Sequence, residues 1–198
     1  MKLKEWIWSV DWFRPRIRFY PSVRETIGEF EGSTVEFYQW RTPKSRDVSV
    51  DLDEIEELRE FISPGDVAID VGAQIGDSTL PIGLACVREG CVFAFEPNPV
   101  CFGVLAKNAT LNPNVSRIIP IPFACAEGDS SLVFNYSDPW LANGGDKSSF
   151  GRTHGHQFGV PVDGLHPLQF LSARYSQELK RLKYIKIDVE GLDLMVLN

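Results

Sequence analysis

Short apolar runs alternate with segments of helical periodicity from about residue 53 to residue 188. The apolar runs are continuous, as expected of strands buried on both faces of a parallel sheet, and they cover residues 67–71, 91–96, 118–124 and 184–188. Helical patterns precede and separate them, at residues 53–61, 78–87, 100–111 and 168–182. This order predicts an α/β fold with a mostly parallel, Rossmann-like sheet.

The first 50 residues follow a different pattern and are predicted to form an N-terminal extension. An amphipathic helix is predicted at the aromatic start of the chain, followed by a strand over residues 34–40. Residues 51–198 are predicted to form one core domain, incomplete at its C-terminus. Within it, residues 131–136 alternate like a hairpin strand, and the glycine-rich residues 140–159 are predicted to be a substrate-facing loop.

Three of the predicted strands end on a carboxylate, namely Asp70, Glu96 and Asp188. In open α/β sheets the ligand crevice lies at the carboxyl ends of the strands, so these acids would line one crevice with negative groups. The first strand continues into a glycine turn (residues 72–76), where side chains would obstruct both the turn and a ligand. Glu96 follows Gly76 by 20 positions, close to the offset at which an acid binds a ribose diol.

S-adenosyl-L-methionine (SAM) suits this chemistry better than a dinucleotide. It offers a ribose to Glu96, and its ammonium and sulfonium groups tolerate acidic neighbours. The turn has the pattern G-x-x-x-G and lacks the middle glycine of G-x-G-x-x-G, which lets the backbone approach a pyrophosphate. An NAD-type oxidoreductase is the alternative enzyme class, since it would explain the ribose-binding acid but not the missing glycine.

Three motifs resemble those of the FkbM family of SAM-dependent methyltransferases. They are the segment from Pro64 to Leu80, the run Phe95-Glu96-Pro97-Asn98-Pro99, and the run from Ile185 to Gly191. The resemblance covers roughly residues 60–198, and it departs at Gln74, where the family more often has Asn. It implies a class I methyltransferase fold, SAM as the methyl donor, and O-methylation of a small-molecule or glycan hydroxyl.

The resemblance also implies roles for individual residues. Asp70 and the glycine turn, with Gly72, Ala73 and Gly76, would lie beside the methionine moiety. Glu96 would bind the ribose, Ala124 and Cys125 would flank the adenine, and Asp188 and Glu190 would stand beside the reacting centre.

A base must remove the proton of an acceptor hydroxyl. Asp188 is the first candidate, followed by His154 and His156, because imidazole titrates near neutral pH. A lone Asp188 is no metal signature, so no metal is predicted.

The composition of the chain argues against some classes of binding partner. The 198 residues carry a net charge of -7, which offers no general attraction to nucleic acid or an anionic membrane. The four cysteines form no C-x-x-C pair and are expected to be reduced packing residues of a cytoplasmic protein. The apolar start of the chain is too short and interrupted for a signal peptide or stable membrane insertion.

The end of the chain raises a third alternative. The chain stops at Asn198, inside an apolar run that would begin a helix in the family. The strand over residues 184–188 would then be an exposed edge. The expectation is a fragment of a longer enzyme, or self-association through the C-terminal end, with the corresponding alternative of an inactive SAM-binding or interaction fragment.

Overall fold

The computed structural model of the chain describes residues 20–42, 45–137, 144–145 and 157–189. Its first elements form an antiparallel hairpin of β1 (Ser22–Phe30) and β2 (Ser33–Trp40). The prediction of a strand over residues 34–40 is confirmed by β2. Strand β1 was missed because a bulge between Thr26 and Gly28 breaks its alternation. The helix predicted at the start of the chain lies outside the described residues.

The core that follows alternates strands and helices as predicted. Its elements are α1 (Leu52–Arg59), β3 (Val67–Val71), α2 (Thr79–Cys86), β4 (Cys91–Phe95), α3 (Pro99–Asn108) and β5 (Ile118–Ile121). The sheet is completed by β10 (Leu182–Ile187), in the order β10-β3-β4-β5, with every pair parallel. All residues of β3 and β4 are buried, which explains their continuous apolar runs. The α/β fold with a mostly parallel sheet is therefore confirmed.

The two faces of this sheet are covered by different elements. Ala68 and Val92 face a cluster that includes Ile55 of α1 and the hairpin residues Phe37 and Trp40. On the other face, residues such as Ile69 and Phe93 pack with Leu171, which belongs to α4 (Pro167–Arg174). The hairpin thus contributes directly to the core beneath the sheet.

A second, smaller sheet follows β5. It contains β6 (Ala124–Cys125), β7 (Ser130–Ser137), β8 (Gly144–Gly145) and β9 (Gln157–Leu165), in the order β6-β9-β7-β8. The predicted hairpin strand over 131–136 is confirmed by β7, which pairs antiparallel with β9. Of the predicted loop over 140–159, residues 144–145 and 157–159 belong to strands, and the remainder lies outside the described residues.

The single helix predicted over residues 168–182 is wrong. The structure has α4, then α5 (Ser176–Leu179), and Leu182 already belongs to β10. The break falls at Tyr175, whose backbone leaves the helical region at φ -133° and ψ 37°. The Tyr175 ring packs against Phe93 of β4, with ring centroids 4.8 Å apart, so a tertiary contact accompanies the break. No helix within the described ranges has the length and apolar character needed to cross a membrane.

Candidate active site

Main-chain hydrogen bonds hold the carboxyl ends of β3, β4 and β10 together. The amides of Gly72 and Ala73 both donate to the Phe95 carbonyl, at 3.0 Å each. The Asp188 amide donates to the Val71 carbonyl at 3.0 Å. These bonds bring the ends of the three acid-bearing strands to one edge of the sheet, as the sequence predicted.

The glycines of the turn are required by its geometry. Gly72 and Gly76 have φ of 84° and 94°, in the left-handed region that glycine adopts without strain. A Cβ at position 72 would lie 2.0 Å from the carbonyl oxygen of Asp188. Gly72 therefore lets the main chain after β10 approach the turn, a requirement beyond the tight turn and ligand approach inferred from the sequence.

Asp70 is fully buried and bonded to protein groups. Its Oδ2 accepts from Thr79 Oγ1 at 2.6 Å and Ser78 Oγ at 3.1 Å, at the start of α2. Its Oδ1 accepts from Lys186 Nζ at 3.2 Å. Asp70 thus fastens helix α2 and strand β10 beneath the turn, and its position beside a methionine moiety stays a prediction.

Lys186 is a site residue that the sequence analysis did not single out. Its Nζ lies 3.2 Å from Asp70 Oδ1 and 3.9 Å from Asp188 Oδ2. The Lys186 side chain is 26% exposed, whereas that of Asp188 is 71% exposed. A charged residue inside an otherwise apolar predicted strand was the signal available, because such a charge needs a partner.

Glu96 lies immediately after β4 with only 6% of its surface exposed. Its carboxylate accepts hydrogen bonds from the amides of Gln74, at 2.8 Å, and Asn98, at 2.7 Å. Burial raises the pKa of Glu96 to about 7, against the lowering effect of these two amides. Each carboxylate oxygen has one amide donor and can accept a second bond, which two ribose hydroxyls would supply.

The other predicted site residues are less tightly connected to this edge. Ala124 and Cys125 form β6, which follows β5 and pairs with β9 of the second sheet. Burial raises the pKa of the Cys125 thiol to about 12, so it stays protonated near neutral pH. The predicted roles of His154, His156 and Glu190 fall outside the described residues.

The charged residues at this edge of the sheet suit SAM. The carboxylates of Asp70, Glu96 and Asp188 gather at the edge with Lys186 as a cation among them, which favours a ligand bearing positive charge and hydroxyls. The backbone amides of the turn are largely used within the protein, those engaged being Gly72, Ala73, Gln74 and Gly76. A pyrophosphate would need such amides free. Among the described residues, no group of three or more His, Cys, Asp or Glu side chains is placed to hold a metal ion.

A parallel sheet with a glycine turn after one strand and the buried acid Glu96 after its neighbour suits the binding of a nucleoside, such as the adenosine portion of SAM in a methyltransferase. The family model described as the methyltransferase FkbM domain matches residues 70–198. The chain belongs to the FkbM methyltransferase family, and SAM is its cofactor. The dinucleotide-binding alternative is thereby set aside.

Two curated relatives and one solved structure show how far the likeness extends. The hexuronic acid methyltransferase AglP of Haloferax volcanii is 31% identical over 180 residues, which are 90% of this chain and 67% of AglP. The methyltransferase sdnD of Sordaria araneosa is 29% identical over 153 residues, 66% of this chain and 58% of sdnD. The putative transferase PH0793 of Pyrococcus horikoshii is 20% identical with a TM-score of 0.37, over 52% of this chain and 36% of PH0793. The chain thus spans about three fifths to two thirds of the length of these two curated relatives.

Proposed function

We propose that this chain transfers the methyl group of SAM to a hydroxyl oxygen of a glycan that contains a hexuronic acid. The observation that carries the proposal is the main-chain joining of the glycine turn to the ends of β4 and β10. It brings the ribose-binding candidate Glu96 and the candidate base Asp188 to the same edge. The acceptor class is supported by the similarity to AglP, a hexuronic acid methyltransferase.

Each residue has a defined task in this proposal. Glu96 accepts hydrogen bonds from the ribose hydroxyls, and the glycine turn lies along the methionine portion of the cofactor. SAM supplies an electrophilic methyl group, so the protein chiefly has to align the acceptor oxygen, an effect worth about 7 to 11 kcal/mol. Asp188 removes the hydroxyl proton, and its 71% exposed side chain is accessible to an acceptor.

Lys186 supports this assignment electrostatically. Its ammonium group lies 3.2 Å from Oδ1 of the buried Asp70 and 3.9 Å from Oδ2 of the exposed Asp188, so it places a positive charge beside the candidate base. An ionised Asp188 is the form that accepts a proton.

The test is methyl transfer from radiolabelled SAM to oligosaccharides with and without a hexuronic acid. We expect labelling of the hexuronic acid oligosaccharide as an alkali-stable methyl ether. Asp188→Asn should lower kcat by about 10² to 10⁴ while leaving the SAM dissociation constant unchanged. His154→Ala and His156→Ala are the comparison variants, expected to retain more activity than Asp188→Asn.

Three outcomes would contradict parts of the proposal. SAM binding without transfer to any acceptor would favour the inactive fragment. An alkali-labile methyl ester would place the methyl group on a carboxylate, which needs no base. Loss of activity in a histidine variant but not in Asp188→Asn would assign the base to the histidine.

A further inference from the structure

The N-terminal hairpin is hydrogen-bonded by two asparagine side chains, that of Asn108 at the end of α3 and that of Asn112 in the segment that follows. Asn112 exchanges two hydrogen bonds with the main chain of Glu36 in β2, donating from Nδ2 at 2.9 Å and accepting at Oδ1 at 2.8 Å. Two residues along the strand, the Tyr38 amide donates to Asn108 Oδ1 at 2.6 Å. The amides thus satisfy edge groups of β2 that an adjacent strand would otherwise pair.

Asn108 differs from Asn112 in its second bond. Its Nδ2 donates to the carbonyl of Ile75 in the glycine turn, at 2.9 Å, and the residue is only 3% exposed. Asn112 places both of the amide bonds described above on Glu36, whereas Asn108 divides its amide between the hairpin and the turn. Asn108 is therefore a direct link from β2 to the candidate cofactor site.

The bonded carbonyl lies at a sensitive point of the turn. Ile75 stands between Gln74, with φ 50°, and Gly76, with φ 94°, two residues in the left-handed region. Holding the Ile75 carbonyl fixes the peptide plane between Ile75 and Gly76. Because the Gln74 amide donates to Glu96, a rotation of the turn would also move the carboxylate proposed to hold the ribose.

We propose that Asn108 is a positioning residue for SAM, and that the hairpin is part of the cofactor site through it. This inference rests on the proposed site at the glycine turn. The hairpin precedes residues 70–198, the region matched by the family model, so family membership does not supply the link. The burial of Val35, Phe37 and Trp40 fixes the position of the hairpin on the core. The hydrogen bonds of Asn108 then fix the position of the turn relative to the hairpin.

The test compares Asn108→Asp with Asn112→Asp. Each substitution keeps a side-chain acceptor for the β2 amide and removes an Nδ2 donor, from the Ile75 carbonyl in one case and the Glu36 carbonyl in the other. SAM dissociation constants are measured by calorimetry well below the melting temperature of each variant. We expect Asn108→Asp to weaken SAM binding about tenfold or more, and Asn112→Asp to leave it within about twofold.

A melting curve of each variant separates stability from positioning, because a merely structural Asn108 would lower the melting temperature without changing affinity. Equal SAM affinities in the two variants, with normal binding by the unmodified chain, would overturn this inference alone. Absence of SAM binding by the unmodified chain would overturn the proposed function and this inference with it. Should Asn108→Asp fail to fold, Asn108→Ala against Asn112→Ala provides the same comparison without an added charge.

Discussion

Lys186 Nζ lies 3.2 Å from Oδ1 of Asp70, a carboxylate with no exposed surface. The two residues sit on neighbouring parallel strands and are paired directly in the register of β10 and β3. A buried carboxylate without a cation is costly, so this pair ties the stability of the sheet to the side chain that also neighbours Asp188.

Lys186→Met should destabilise the protein by about 3 kcal/mol, because it leaves the Asp70 charge buried and unpaired. The double variant Asp70→Asn with Lys186→Met removes both charges and should recover most of that loss. Urea denaturation of the single and double variants measures the coupling. A double variant as unstable as Lys186→Met would show that Lys186 does not act through Asp70.

The Glu96 pKa makes stability depend on pH. The ordinary glutamate pKa of 4.5 rises to about 7 in the folded protein, so the native state holds a proton that the unfolded state releases between these values. The native protein is therefore favoured by about 3 kcal/mol below pH 4.5, and this contribution is lost as the pH rises through about 7. Urea denaturation at several pH values should show the slope, and Glu96→Gln should abolish it.

The same group should give SAM binding the opposite pH dependence. Ribose hydroxyls donate more strongly to an ionised carboxylate, so SAM affinity should rise between about pH 6 and about pH 8, with proton release. Calorimetry in buffers of different ionisation enthalpy counts the protons released. If SAM affinity depends on pH equally in the unmodified chain and in Glu96→Gln, Glu96 does not bind the ribose.

Gly72→Ala should lower stability by about 2 to 5 kcal/mol, from left-handed strain together with the clash with the Asp188 carbonyl. Gly32→Ala is the matched control. Gly32 has φ 76°, and a Cβ there would meet no atom within 4 Å, so its cost is the backbone strain alone, about 1 to 2 kcal/mol. Because Gly72 contacts the residue bearing the candidate base, its substitution should reduce stability and methyl transfer together. Equal melting temperatures of the two variants would show that the ends of β3 and β10 can move apart without loss of stability.

Gln74→Asn should stabilise the protein by up to about 1 kcal/mol. Gln74 has φ 50°, a conformation in which Asn is several-fold enriched over other side chains apart from glycine. The substitution leaves the amide that donates to Glu96 in place. A melting temperature at or below that of the unmodified chain would show that the Gln74 side chain makes a compensating contact.

The sequence was most informative where one physical requirement dominated. Strands β3 and β4 are buried at every position, so their continuous apolar runs could be recognised without knowing their neighbours. Strand β9 was missed because Gly159, Pro161 and Gly164 interrupt its pattern, although β7 pairs with it from Gln157 to Gly164.

The candidate site residues also differ in how clearly the sequence indicates them. Glu96 and the glycine turn could be predicted as site residues from the sequence because their spacing along the chain is itself the signal. The bond from Lys186 to Asp70 spans 116 positions, and that from Asn108 to Ile75 spans 33. Such partners depend on strand register and helix seating, which a single sequence does not reveal.

The contact between Gly72 and the Asp188 carbonyl has a consequence for how such an enzyme diversifies. The glycine turn, proposed to bind the methyl donor, and Asp188, the candidate base, meet through main chain at this contact. Their separation is therefore independent of rotamers and of most substitutions nearby. We expect acceptor preference to vary among relatives through substitutions farther from the contact between Gly72 and Asp188. The distance over which the methyl group is transferred should stay constant.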